Sequence, residues 1–552
     1  MLLSLPIEAL PGPAGIVTAP ARAAQQLQLQ LDDLEIPLDL DQLERWSRSD
    51  PRPAASRHAR AATATATAAA AADPAPDPIR AGRPPFHADQ DIWLDLLEPE
   101  TRQTLIRLLR APLLRDGSFG HQLLDSWTGT RMLAELGALL TTPDGRSTAP
   151  LLQTTLREQL QQHREVTLLS LLRALPVARV QLRIDGLLSL AAQWRRQIQQ
   201  QRHALAALAR LGLPQRNGRP QLLPDPRLRP QRSELRVAHR REPLPVDLWP
   251  ARGARAGQRP WLLVLPGLGG NADQLSWLAA CLAQRGWSVA VPQHPGSDGP
   301  ALRAALEGRS PPPGAETLVL RLQDVAALLA ARQRGQLLLP GDGVVLVGHS
   351  LGGLTALLVA GAEPQRGLAE RCRRAIDRLP LGNPSRLLQC ELVQTGVPAA
   401  LSPPPDLRGL MLFNSFGSLL WPHGAMASLP QQVPVLMVGG SLDLVTPPLE
   451  EQLRLFLPAG NPASRLVLLE GGSHFSPLRL VDQGEAVLRL GRDLVGVDPG
   501  RAQNLLLALS LDFLQLVREP LALPAQLRSQ EGIRAYVLDG AAASRWQALS
   551  RP

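Results

Sequence analysis

The residues best equipped for chemistry lie in Val344-Val345-Leu346-Val347-Gly348-His349-Ser350-Leu351-Gly352-Gly353. Four apolar residues in a row, three of them β-branched, read as a strand buried on both faces. The apolar run from Leu354 to Ala360 reads as a helix, so the residues between must turn sharply. A serine at the tip of such a turn presents its hydroxyl out of the sheet as a nucleophile. It then needs a base, an acid to orient the base, and donors for the oxyanion. In strand–turn–helix sheets of this kind the order along the chain is Ser, acid, His. Asp443 follows the apolar run Val435-Leu436-Met437-Val438, and His474 follows Leu466-Val467-Leu468-Leu469. The triad expected is therefore Ser350, Asp443 and His474. The oxyanion donors expected are the backbone N–H of Leu351 and that of Leu268, in Pro266-Gly267-Leu268-Gly269-Gly270. That loop lacks both G-x-G-x-x-G and a following Lys-Ser/Thr, which argues against a nucleotide cradle. His349 reads as a packing residue. His294 precedes the nucleophile and reads as structural or pocket-lining.

These residues need a scaffold, and the hydrophobic pattern describes one. From about Ser233 strand candidates recur at 235–237, 244–248, 262–265, 289–291, 344–347, 408–413, 433–438 and 465–469. Helical stretches at 274–285, 317–332, 447–456, 481–495 and 501–517 separate or follow them. Such alternation predicts a mainly parallel, doubly wound α/β sheet over 233–552. The segment 362–406 is too long for a plain connection and reads as an insertion over the site. Ahead of the sheet, residues 26–50 carry a strand at Leu27–Leu31 and a short helix through Trp46. An Ala/Thr/Pro stretch, 51–88, lacks the apolar surface to order itself. A mostly helical accessory domain spans 89–212, and a Pro/Arg-rich connector spans 213–232.

All 58 basic residues of the 552 are arginine, and the net charge is +9. Residues 201–260 hold thirteen Arg against four acids, so the excess sits in and around the connector. Arg there alternates with Pro and Leu without aromatics, which is unlike a nucleic-acid surface. Attraction to an acidic membrane surface stays open. No apolar run is long enough to span a bilayer. The first 25 residues end in Ala21-Arg22-Ala23-Ala24 but lack a basic start, and Pro6, Pro11 and Pro13 interrupt the apolar part. The compartment expected is periplasmic or extracellular if this is a signal, and cytoplasmic otherwise. Three cysteines, with no CxxC pair, exclude a disulfide scaffold and a thiolate metal site.

The sequences Leu265-Pro266-Gly267-Leu268-Gly269-Gly270, Val291-Pro292-Gln293-His294-Pro295-Gly296, Gly348-His349-Ser350-Leu351-Gly352-Gly353, Leu387-Leu388-Gln389-Cys390 and Gly472-Ser473-His474-Phe475 resemble one group of bacterial α/β-hydrolases. They are the relatives of platelet-activating-factor acetylhydrolase and dienelactone hydrolase. Residues 26–47 and 92–195 resemble the uncharacterised helical domain carried by members in photosynthetic bacteria. The resemblance implies an α/β-hydrolase fold, no cofactor or metal, and a pairing of Cys372 with Cys390. In a reducing compartment those two would be small buried apolar side chains instead. Two departures stand out. The family's His-Gly is Pro266-Gly267 here. In the animal acetylhydrolases the acid follows the strand after the elbow helix, where this chain reads Phe413-Asn414-Ser415; the acid must come from the next strand, at Asp443.

The function expected is a serine hydrolase that cleaves small-molecule or lipid carboxylic esters through an acyl-enzyme. The alternative is a hydrolase-fold protein serving mainly as a binding or membrane-surface module. Oligomeric state is not legible in the sequence.

Overall fold

The computed structural model describes residues 23–48, 98–115, 117–163, 165–218, 228–251, 256–376, 382–479, 496–519 and 523–550. The stretch 51–88, most of 1–25 and the helix expected at 481–495 lie outside these residues. The chain forms two compact units: Met1–Leu124 with Thr130–Leu188, and Asp125–Gly129 with Ser189–Pro552.

The first unit is mostly helical, with helices at Leu40–Arg48, Pro99–Arg110, Ala149–Gln162 and Leu168–Ala174 among others. It also holds strands β1 (Gln26–Leu31), β2 (Leu34–Asp39), β3 (Pro112–Arg115), β4 (Leu140–Thr141), β5 (Glu165–Thr167) and β6 (Arg179–Arg183). The sequence suggests β1 through Leu27–Leu31, and one short strand at β6 through Val180, Leu182 and Ile184. Strands β2-β1-β6-β4 form one small sheet and β3-β5 another. Leu27, Leu40, Leu43, Trp46, Leu152, Leu156, Leu172 and Val180 share one core. The segment 26–47 therefore packs with helices more than a hundred residues away, through side chains at helical and alternating spacing.

The second unit is built on an eleven-stranded sheet. Its strands are β7 (Gln215–Asn217), β8 (Gln231–Leu235), β9 (Leu244–Trp249), β10 (Trp261–Leu265), β11 (Val289–Pro292), β12 (Val344–His349), β13 (Leu407–Phe413), β14 (Val435–Gly440), β15 (Arg465–Leu469), β16 (Gln526–Gln530) and β17 (Ile533–Leu538). The order is β7-β16-β17-β15-β14-β13-β12-β10-β11-β9-β8. From β11 through β15 neighbouring strands are parallel; β9 and β8 close one side in antiparallel fashion, and β17 and β16 the other. This is the α/β-hydrolase fold.

The central strands are apolar along most of their length because both faces are covered, with His349, Arg408 and Arg465 near their ends. Leu263, Leu265, Leu346, Leu410, Met437 and Leu468 point into one core, with residues of the helices Thr317–Gln333 and Leu351–Val359. Leu262, Val264, Val345, Val347, Met411 and Val467 point into the other, with residues of Ala272–Gln284 and Pro499–Arg518. Alternate residues serving two cores leave no polar face, as parallel sheets require.

The boundary between the units differs from the expected one. The long helix Ile184–Ala209 contributes Ala204, Ala207 and Leu208 to the sheet's core, and Trp546 Nε1 donates to the Ala204 carbonyl at 2.8 Å. Residues 215–217, assigned from sequence to a connector, pair with β16 as β7. The second unit thus begins near Ser189 and not at Ser233, because the end of that helix, from Ala204, buries its apolar side in the sheet's core. The helix expected at 447–456 is shorter, Gln452–Phe456, since Pro447 and Pro448 hold the first residues in turns.

Strand β10 lies between β11 and β12, so the chain winds first to one side of it and then to the other. Loops leaving the carboxyl ends of β10 and β12 diverge at that reversal and open a crevice between them. Residues 266–270 and 349–351 are those loops.

Candidate active site

The turn after β12 puts Ser350 at φ 53°, ψ −120°. A side chain rarely adopts this conformation, and it persists only where the surroundings hold it. Here they do. The Ser350 N–H donates to the Phe413 carbonyl at 3.0 Å, and the Ser350 carbonyl accepts from Gly353 and Leu354. A Cβ at Gly348 would stand 2.3 Å from the Gly352 carbonyl oxygen, and one at Gly352 2.0 Å from that of Leu265. Both glycines are demanded by the close passage of strand, turn and helix. Ser350 itself is nearly buried.

Asp443 and His474 stand past the ends of the neighbouring strands β14 and β15. His474 Nδ1 lies 3.0 Å from Asp443 Oδ2. Asp443 is 1% exposed, and its other contacts come from its own turn and from β13. Oδ1 accepts the backbone N–H of Val445 (2.8 Å) and Thr446 (2.7 Å); Oδ2 accepts Thr446 Oγ1–H (2.6 Å) and Asn414 Nδ2–H (2.7 Å). Burial alone would raise this carboxyl. The charge and hydrogen bond of His474, together with the Thr446 donors, outweigh it and hold the group below its ordinary value.

The structure thus brings Asp443 and His474 into direct contact and ties the loop of His474 to the serine's strand, while no hydrogen bond joins Ser350 to His474 among the described residues. His349, the residue before Ser350, donates from Nε2 to the His474 carbonyl at 2.9 Å, and the two imidazoles pack with centroids 4.9 Å apart. Burial, reinforced by the charge of His474, pushes His349 down to about 3, so it stays neutral and its Nε2–H remains a donor. From sequence it was a packing residue; it also fastens the loop of His474 to the elbow.

The loop after β10 passes directly beside the serine. A Cβ at Gly267 would lie 3.2 Å from Ser350 Cβ and 3.0 Å from His349 Nδ1. Neither the Leu268 N–H nor the Leu351 N–H has an acceptor among the described residues. The elbow helix begins at Leu351, and its first N–H groups and dipole favour negative charge at this end. His294 takes no part in the cluster. It is buried with Nδ1 at 2.8 Å from Asp324 Oδ2, and burial together with the charge of Arg321 lowers it to about 4.

Cys372 and Cys390 form a disulfide that joins the helices Leu368–Ala375 and Ser385–Thr395 of the 362–406 segment. Cys281 is free and buried. The fully buried carboxylate of Glu451 ties the second helix to the neighbouring loops. It accepts from Asn383 Nδ2 (2.8 Å), Gln389 Nε2 (3.2 Å), the N–H groups of Gly417 and Ser418 (both 2.9 Å), and Ser418 Oγ (2.9 Å).

Sequence reasoning missed Asn414, Thr446 and Glu451. The spacing Asp443-x-x-Thr446 is a legible sign of an aspartate bonding its own turn. Asn414 has positive φ (48°), yet only the fold shows it donating to Asp443. No group of three or more potential metal ligands occurs among the described residues, and no helix there is long and apolar enough to cross a membrane.

Two family models match the chain. Residues 86–183 match one described as an alpha/beta hydrolase of unknown function (DUF1400), and residues 262–490 match the alpha/beta hydrolase family. No curated protein gives a match. The second match covers β10 through β15 with the elbow and both partner loops, and this part of the chain has the α/β-hydrolase fold and is similar to that family.

Proposed function

We propose that the protein is a serine hydrolase of carboxylic esters, with Ser350 as nucleophile, His474 as general base and acid, and Asp443 as the group that orients His474. The observation that supports this most is the His474–Asp443 contact at 3.0 Å, on the two loops beyond the strained serine, in the order Ser, Asp, His.

With Nδ1–H donated to Asp443, the imidazole keeps Nε2 free as the base. Ser350 Oγ attacks the ester carbonyl carbon while its proton passes to Nε2. The carbonyl oxygen becomes an anion and accepts the N–H groups of Leu268 and Leu351. As the intermediate collapses, the C–O bond to the alcohol breaks and Nε2–H protonates the departing oxygen. Water repeats the sequence on the acyl-enzyme, giving the acid and free Ser350. Neither metal nor cofactor enters these steps. Leu268, Leu442 and Leu444, on the oxyanion loop and on either side of Asp443, are exposed, which favours an apolar acyl group. An acyl ester of lipid or short-to-medium chain type fits this setting, as does kinship with the acetylhydrolase and dienelactone hydrolase relatives.

Ser350→Ala tests the reading. It should abolish labelling by a fluorophosphonate and lower hydrolysis of p-nitrophenyl esters by more than about 10³-fold while the melting temperature is kept, since triad deletions elsewhere cost several orders of magnitude. Activity within about tenfold of the parent would overturn it.

A further inference from the structure

Beside the site lies a buried arginine that the steps above do not use. Arg321, on the helix Thr317–Gln333, is 0% exposed. Its guanidinium donates from Nη1 to the Pro266 carbonyl (2.7 Å), from Nη2 to the Gly267 carbonyl (2.8 Å) and from Nε to Ser297 Oγ (2.8 Å), with the Ser297 carbonyl 3.4 Å from Nη2. Asp324, one helical turn on, is also fully buried, but its oxygens are engaged by Arg240 (2.6 and 2.7 Å), His239 (2.7 Å) and His294 (2.8 Å). Asp324 and Asp298 are the acids whose charge reaches Arg321. The guanidinium's own donors therefore go to backbone oxygens of the loop beside Ser350.

We propose that Arg321 is a positioning residue for oxyanion stabilisation: by gripping two successive carbonyls it fixes and polarises the Gly267–Leu268 peptide. In a trans peptide the C=O and N–H point in opposite directions. A cation on the Gly267 oxygen therefore sets the Leu268 N–H to point away from the guanidinium. The same cation draws electron density toward the oxygen and makes that N–H a stronger donor, as in any hydrogen-bonded chain. The Gly270 N–H adds a further bond to this oxygen at 3.2 Å, and the Gly269 N–H bonds the Ser297 carbonyl at 2.8 Å. The loop is thus held by Arg321, by its own Gly270 N–H and by Ser297, and the Leu268 N–H, like that of Gly267, has no acceptor among the described residues. A buried cation whose donors are shared between the 266–267 loop and Ser297 costs desolvation that a leucine would not, and preorganising a charge-stabilising donor accounts for its presence.

The inference rests on Ser350 being the nucleophile, and the experiment separates the two. Arg321→Lys and Arg321→Met in the full chain are compared for kcat, KM and the inhibition constants of a matched pair: a trifluoromethyl ketone and its methyl ketone. The first adds Ser350 Oγ to its carbonyl and holds an oxyanion; the second mostly stays a ketone. Arg321→Met should lower kcat by about 10²–10³-fold, as loss of an oxyanion donor does, and leave KM nearly unchanged. The trifluoromethyl ketone should weaken by a similar factor and the methyl ketone should not. Arg321→Lys, with one head group for two carbonyls, should fall between. The apparent pKa in kcat/KM should stay put, because Asp443 and His474 are untouched. If both variants fail to fold, Ser297→Ala, which removes the Nε acceptor together with the Ser297 Oγ–His294 carbonyl bond, should show the same discrimination at smaller size. Folded variants with the parent's kcat and parent's inhibitor ratio, or with both ketones weakened equally, overturn the proposal. If Ser350→Ala stays active, the catalytic reading itself has failed.

Discussion

Asp443 is out of contact with water yet carries five donors: two backbone N–H groups, Thr446 Oγ1, Asn414 Nδ2 and His474 Nδ1. That arrangement stabilises an anion and leaves it nothing to do but hold the imidazole. Asp443→Asn should therefore lower kcat by about 10⁴-fold, because an amide N–H in place of the carboxylate favours the wrong histidine tautomer. Steady-state kinetics with folding checked by circular dichroism decide it, and a nearly silent variant would sink the assignment. A second consequence concerns acid. His294 and His349 are buried and lowered to about 4 and about 3, whereas unfolded imidazoles protonate near 6.5. Below 6.5 the unfolded chain binds two protons that the folded one refuses, so stability is full above 6.5 and falls as pH drops toward 4. The slope expected from these two groups is about 2.7 kcal/mol per pH unit. Urea midpoints at pH 7, 5.5 and 4.5 would show it, and midpoints that do not move would refute it. Ser350, Asp443 and His474 could be singled out in the sequence because each stands in a short motif just past an apolar run. Asn414, Arg321 and Glu451 act through partners tens of residues away, so no local pattern announces them.

Central strands of a parallel sheet declare themselves by unbroken apolar runs, and β10 through β15 were readable for that reason. Edge strands do not. Gln526-Leu527-Arg528-Ser529-Gln530 is largely polar and β7 is three exposed polar residues, so both lack the alternation that marks a strand. The 362–406 segment is held by covalent and polar means together: the Cys372–Cys390 bond joins its two helices, and Glu451 fastens the second to the loop after β13. Replacing both cysteines with alanine releases a loop with a sequence separation of 18. The loss expected from chain entropy is about 3 kcal/mol. Because the Glu451 contacts remain, kcat for short esters should keep its order of magnitude. Chemical denaturation gives the first quantity and kinetics the second. An unchanged unfolding midpoint would mean that the reduced segment is equally constrained.

At the scale of the whole chain, the sheet's core includes residues from both ends of its unit. Ala204, Ala207 and Leu208 share it with Trp546, Ala542 and Ala543 of the helix Gly540–Leu549. A fragment beginning at residue 189 should fold and label with a fluorophosphonate. One beginning at residue 233 should melt far lower or aggregate, since a single buried leucine removed costs about 2–5 kcal/mol and this cut removes most of a helix, β7 and the start of β8. Equal melting temperatures for the two fragments would contradict the boundary drawn here. This pairing of first and last segments also bears on how the protein is made. Helix residues 204–208 and strand β7 leave the ribosome more than three hundred residues before β16 and the terminal helix that cover them. At about 5–20 residues per second, the early segments wait many seconds with an apolar face and a strand edge unshielded. The hydrolase unit therefore completes its fold only after β16 and the helix Gly540–Leu549 have emerged, and in that interval it depends on whatever in the cell shields nascent chains.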